Sequence, residues 1–191
     1  MNAGLFEGEL VRLVPIDIEK DVDIIAQWDS DSEYMRQLDD MPATRYPVSM
    51  VKEWQENNLE GSSGFIIRTR DENKVIGFVD LSGFEWTARN AWVGIGIGDA
   101  EYRGKGFGTE AMKLVLDYAF GAIDFPRVNL SVFGFNKRAV RSYEKCGFKY
   151  EGTLREAIYK EDQRWDMIEM GILREDWKMM QRLDQNDTIN E

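Results

Sequence analysis

Seven consecutive residues, Arg103-Gly104-Lys105-Gly106-Phe107-Gly108-Thr109, sit between a strand-like run at 92–97 and a strongly helical run at 110–120. Three alternating glycines at a strand-to-helix turn leave backbone N–H groups open at the positive end of a helix, which suits an anionic phosphate. A Walker-type loop would set a lysine beside Ser or Thr at the end of the glycine run, but Lys105 lies inside the run and Thr109 follows Gly108. A dinucleotide fingerprint needs Gly or Ala where Thr109 stands and opens a βαβ unit, whereas the strands before this loop pattern as hairpins. What remains is Arg-x-x-Gly-x-Gly, filled by Arg103, Gly106 and Gly108.

That pattern resembles the pyrophosphate-binding loop of the GNAT acyl-CoA N-acyltransferases. Downstream, the run from Asn136 to Phe148 is similar to the family's Asn-x-x-Ala-x-x-x-Tyr-x-x-x-Gly-Phe segment, through Asn136, Ala139, Tyr143, Gly147 and Phe148. The run from Trp165 to Trp177, with Gly152-Thr153-Leu154-Arg155-Glu156 before it, resembles the branch that acetylates ribosomal-protein N-termini. The likeness covers about residues 8–178. It implies an α/β (α+β) single-domain fold over 1–183, a mixed, mostly antiparallel splayed sheet of about seven strands flanked by helices, and a disordered tail at 184–191.

The resemblance also implies a site. Acetyl-CoA would be the cosubstrate, its pantetheine arm lying along the strand edge at Val93, Ile95 and Ile97 like a missing strand. Gly104, Gly106 and Gly108, with Phe107 and Thr109 in the same loop, would offer main-chain donors to the pyrophosphate, and Arg103 and Lys105 would add charge. Lys137, Arg138 and Arg141 belong to the same concentration of cations, and Ala139 to the same segment. Asn136 would hydrogen-bond the pantetheine, and the same residue is an expected helix cap. Tyr143 would be the general acid for the departing thiolate, with a backbone N–H near Ile95 stabilising the oxyanion. Glycines at 94, 96 and 98 suit close approach of a ligand or mark a bulge.

Many relatives carry a glutamate base on this strand where Trp92 stands, so the base stays open among Asp80, Glu85, Asp166 and a water chain. Trp28, Tyr34, Trp54, Trp86 and Trp92 are candidates for the acceptor wall or for core packing. Asp39 and Asp40 are candidates for holding a cationic acceptor or form a solvated turn. The acceptor expected first is a protein or peptide N-terminal α-amine. A small amine, either a polyamine or an amine antibiotic, is the alternative, and a non-catalytic acyl-CoA-binding module is a second.

These residues need elements to hold them. Alternation predicts a first strand at 9–16, and Asp17 can cap a helix to about residue 28. A short helix at 31–38, a proline-bearing loop at 39–47 and a helix capped by Ser49 to about residue 59 follow. Three strands at 65–70, 74–84 and 90–98 are joined by short polar connections, hence by antiparallel hairpins. The phosphate-loop helix at 106–123, a strand at 127–133 and a helix at 136–146 come next. Strands at 149–159 and 164–173 pair around residues 160–163, and a helix at 174–182 closes the fold. This terminal hairpin is where a homodimer would pair.

The whole chain has 191 residues, 43% of them hydrophobic, which suits one buried core. Lys plus Arg is 24 against 35 Asp plus Glu, a net charge of −11 that disfavours nonspecific nucleic-acid binding and attracts cationic acceptors. With no histidine and a single cysteine, Cys146, a transition-metal site is not expected and an internal disulfide is impossible. Cys146 is expected to pack as a small hydrophobe. Neither a membrane-spanning run nor a signal-like N-terminus is apparent, so a soluble cytoplasmic protein with no membrane partner is expected.

Overall fold

In a computed structural model describing residues 4–59 and 61–189, one sheet holds seven strands: β1 (Val11–Pro15), β2 (Ser63–Thr69), β3 (Val75–Glu85), β4 (Asn90–Ile97), β5 (Arg127–Phe133), β6 (Lys149–Lys160) and β7 (Gln163–Leu173). Their order is β1-β2-β3-β4-β5-β7-β6, and every pair is antiparallel except β4 with β5. Among the described residues there are six α-helices: α1 (Ile18–Asp29), α2 (Ser32–Leu38), α3 (Val48–Leu59), α4 (Phe107–Asp117), α5 (Lys137–Lys145) and α6 (Arg174–Ile189).

Alternation along the strands sends side chains to two apolar layers, one on each face. Val11 and Leu13 join the larger one with Val115 and Leu116 of α4, Leu130 of β5 and Trp177 of α6. Ile66 faces the other layer, packing with Val22, Ile25, Trp28 and Tyr34 from α1 and α2 and Val51 from α3. The helices before the hairpins therefore cover one face and α4, α5 and α6 the opposite one.

Local signals missed in four places. Asp17 precedes α1 without capping it, since its carboxylate pairs with Lys20 and its own N–H donates to Asp21 Oδ2 at 3.0 Å. Pro47, with its fixed φ, leads into α3 two residues before the expected Ser49 cap, its carbonyl accepting from Met50 and Val51. The turn expected at 160–163 tightens to Glu161 and Asp162, both at positive φ (55° and 57°), the two-residue turn whose twist matches its strands. Finally, α6 continues to Ile189, so the stretch expected to be a disordered tail is helical backbone from 184 to 189; residues 190–191 lie outside the described residues.

That tight turn matters for the site because it reaches α2. Lys160 Nζ donates to the carbonyls of Met35, Arg36 and Asp39, placing a cation at the negative end of the helix. Beside it, Arg36 forms a two-pronged pair with Glu161. The far end of the sheet thus fixes the wall that faces β4.

Candidate active site

The strands β4 and β5 pair only at Asn90↔Arg127, Ala91↔Val128 and Trp92↔Asn129. Beyond that point β4 continues beside β3 to Ile97, and β5 continues beside β7 to Phe133. The sheet splits there, leaving one edge of β4 without a strand. The Gly96 carbonyl lies against Gly77 of β3, and the Ile97 carbonyl accepts from Arg103 Nε at 2.9 Å. Main-chain groups alternate sides along a strand, so those of Val93, Ile95 and Ile97 face the gap.

A cleft of about 370 Å³ opens at this split. Its floor is Ile95, Gly96 and Ile97; the phosphate loop closes one end, α2 one side and α5 the other. In the loop, Gly104 and Gly106 have φ of 75° and 94°, conformations that L side chains strain to adopt. Gly106 precedes α4, and the first bond of that helix runs from Glu110 N to Gly106 O. The N–H groups of Phe107, Gly108 and Thr109 therefore have no partner within the helix and point outward at its positive end. Gly108 has another reason to be glycine, since a Cβ there would stand 3.3 Å from Ile97 Cγ1.

Arg103 departs from the expectation of a phosphate ligand. Its side chain is only 8% exposed and is committed to the protein, donating to the carbonyls of Ile97 and Gly98 and to Asp31 Oδ2. It also lies 5.5 Å from the Tyr34 ring centre. Charge for a polyanion comes instead from α5, where Arg138, Arg141 and Lys145 line the cleft on one helical face. Their spacing of three and four residues was the sequence signal for Lys145, which the motif alone did not single out. Val93, Lys105 and Phe107 stand outside the cleft wall: Val93 is core, Lys105 is exposed, and Phe107 packs edge-on against Tyr102 at 5.0 Å.

On α5, Asn136 accepts from Ala139 N at 3.1 Å, as a cap should, and donates through Nδ2 to Gln37 O of α2 at 3.3 Å. It thus bridges two walls of the cleft. Tyr143, farther along the same helix, also lines the cleft, its ring edge-on to Phe148, and burial pushes its phenol up to about 12. Thr109 and Ser142 hydroxyls bond at 2.8 Å and lock α4 to α5. Cys146 is fully buried, its thiol pushed up to about 12 by burial, and packs as the small hydrophobe expected.

The opposite face of β4 corrects the reading of its glycines. A Cβ at Gly94 would stand 2.6 Å from Asp80 Oδ1, at Gly96 2.3 Å from the Tyr34 hydroxyl, and at Gly98 2.0 Å from the Trp28 ring. The space those glycines leave is filled by the protein's own side chains, not kept for a ligand. Asp80 pairs across from Gly94 on the face that turns to α1 and α2, and burial raises its carboxyl against a smaller opposing effect from Ser82. The Tyr34 hydroxyl is buried without a hydrogen-bond partner, and burial pushes its pKa up.

The other base candidates are engaged elsewhere: Glu85 accepts from Asn90, and Asp166 accepts from Glu156 N at 2.9 Å on β7. Among the aromatic candidates, Trp28 is core, and Trp54 meets Tyr46 on the outside of α3. Trp86 and Trp92 line a second hollow with Phe84 and Glu85. Asp39 closes its own turn on Met41 N. Among the described residues no cluster could hold a metal, and no helix is long and apolar enough to cross a membrane.

Residues 11–149 match the family described as acetyltransferase (GNAT) domain. Over 94% of this chain and 98% of the relative, the sequence is 32% identical to an uncharacterized prophage-derived N-acetyltransferase, YokL, of Bacillus subtilis. It is 29% identical to a spermidine N(1)-acetyltransferase of Escherichia coli, over 86% of each chain. The fold matches a spermidine N-acetyltransferase of Vibrio cholerae, solved with CoA and spermine, with a TM-score of 0.80 at 24% identity, covering 89% of this chain and 99% of that one.

Proposed function

This chain belongs to the GNAT family and is an acetyl-CoA-dependent N-acetyltransferase, and from that premise we propose that its acceptor is a small cationic primary amine of the polyamine class. The site fits the cosubstrate: a strand edge left open, outward amides at the start of α4, and three cations on α5. Acetyl-CoA supplies an activated thioester carbonyl. The main-chain groups of Ile95 and its neighbours would hold the arm and take up charge on the carbonyl oxygen.

The observation that carries the acceptor reading is Asp80. An alkylammonium near pKa ~10.4 must lose a proton before it can attack, and a carboxylate whose proton affinity is raised by burial is suited to take it. Asp80 passes that proton to water. As the amine nitrogen bonds to the carbonyl carbon and the C–S bond breaks, the nitrogen releases its second proton to water, while Tyr143 gives a hydrogen bond and then its proton to the sulfur, regaining a proton from solvent. The net charge of −11 and the likeness to spermidine acetyltransferases support a cationic acceptor.

A peptide N-terminus is the second reading, resting on the run from Trp165 to Trp177. Much of that run serves packing in this fold. Met167 to Leu173 pair with β5, and Trp177 is buried with Nε1 donating to Asp117. Thiol release from acetyl-CoA, measured across spermidine, alanine- and serine-initiated peptides and aminoglycosides, tests the choice. Spermidine should give the highest kcat/KM; a peptide preferred by ten-fold or more would reverse the two readings. Binding of acetyl-CoA without release by any amine would leave a non-catalytic module.

A further inference from the structure

The second hollow contains features that the acetyl-transfer step does not use. Trp86 is 66% exposed and Trp92 39% exposed, an unusual display of two large aromatic surfaces on one concavity. The backbone is shaped for it. The β3–β4 register slips between Ser82 and Glu85, and Gly83, at φ 57°, passes so close to Trp92 that a Cβ would stand 3.0 Å from its ring. Phe84 and Phe125 flank the Trp86 ring at 5.5 and 5.4 Å and hold it in place. Glu85, exposed at the same rim, accepts from the Asn90 side-chain amide at 3.2 Å. Exposed aromatic faces beside a carboxylate are the chemistry of ammonium recognition.

Its location ties the hollow to the reaction. Trp92 is the last residue of β4 that pairs with β5, so it stands at the apex of the split. It projects to the same face as Gly94, whose cross-strand neighbour is Asp80. Two residues of strand separate Trp92 from that point, about 7 Å, a span that a short alkyl linker between two amines can cover.

We propose that the hollow formed by Trp86, Trp92 and Glu85 seats a second positive charge of the acceptor while the first amine reaches Asp80. The enzyme would thereby select diamines and longer polyamines over monoamines. This rests on the amine-acceptor reading above and names what sets its specificity.

The test compares spermidine with n-butylamine for the wild type, Trp86→Ala and Glu85→Gln, reading KM by thiol release and, separately, spermidine affinity by calorimetry on the CoA-loaded protein. Each variant should weaken spermidine about five- to thirty-fold, with butylamine moved less than two-fold and the KM for acetyl-CoA unmoved. Glu85→Gln keeps the aromatic packing intact and reads the hollow even if Trp86→Ala is poorly folded. Spermidine KM and affinity unchanged in both variants would overturn the inference, as would a wild type that does not discriminate spermidine from butylamine. Should no amine accelerate thiol release while spermidine still binds and the variants weaken it, the hollow stands and the proposed reaction falls. Should spermidine fail to bind, the hollow falls.

Discussion

Asp31 holds Arg103: one carboxylate oxygen accepts from the guanidinium at 3.0 Å while the other accepts from Glu33 N and Tyr34 N at the start of α2. Burial by itself would raise this carboxyl, but Arg103 and the two backbone donors outweigh it and keep it below the usual range. The arginine that opens the glycine loop is thus a tie between the end of β4 and the helix that walls the cleft. Its neighbour Lys105 is exposed and lies outside the cleft wall.

The two cations should therefore fail differently. Arg103→Ala removes donors to two carbonyls and a carboxylate from a side chain that is 8% exposed, and should cost about 2 kcal/mol of stability. That figure is set toward the low end of the range because Asp31 is 38% exposed. Lys105→Ala should change stability by less than about 0.5 kcal/mol and weaken acetyl-CoA a few-fold, an effect that shrinks as salt rises. Denaturant midpoints and calorimetry at two ionic strengths separate them; equal loss of stability in both variants would refute the division.

Tyr143→Phe should lower kcat by about 100-fold with acetyl-CoA affinity nearly kept. A phenol held near 12 is a weaker acid than a thiol near ~8.5, so hydrogen bonding to the departing sulfur carries much of the effect, which sets the expected loss at the low end for an acid catalyst. Because burial keeps the proton on, the rate should show no alkaline fall from this group below pH 11. Turnover that survives the substitution would take the tyrosine out of the reaction.

What the chain reveals about itself divides along sequence distance. The glycine loop, the cap at Asn136 and the tyrosine seven residues on are local patterns, and they meet at one cleft as their order implies. The partner of Arg103 is 72 residues away, so its identity could be read but its task could not. The glycines of β4 signalled close approach correctly, yet what approaches comes from β3, α2 and α1. Asp80 was one of four base candidates because its advantage lies in cross-strand register with Gly94, and register is a property of paired strands.

Asp80→Asn should separate activity from stability. Burial raises the folded-state pKa of Asp80 above its unfolded value, so its favourable contribution is full at low pH and is lost as pH rises through the raised value. An asparagine has no charge to desolvate, so the variant should be at least as stable as the wild type in thermal melts. Its kcat should nonetheless drop by about 100-fold, and the acid limb of the wild-type pH–rate profile, where Asp80 takes up its proton, should disappear. An intact acid limb in the variant would assign the base elsewhere.

Tyr34 and Gly96 should be energetically coupled. Gly96→Ala sets a methyl 2.3 Å from the Tyr34 hydroxyl and 3.1 Å from both the carbon bearing it and Phe78 Cε1. Overpacking of this kind costs about 1–3 kcal/mol. Tyr34→Phe alone removes a buried hydroxyl that has no partner, so no bond is lost and stability should hold or rise slightly. In the double variant the nearest contact is gone while those at 3.1 Å remain, so the alanine should cost roughly 1 kcal/mol less than it does in the wild type. Denaturant unfolding of the four proteins in the cycle measures that difference directly. Strict additivity would mean that the hydroxyl moves away from Gly96 at no cost and that the tight seat of Tyr34 on β4 is not what requires glycine there.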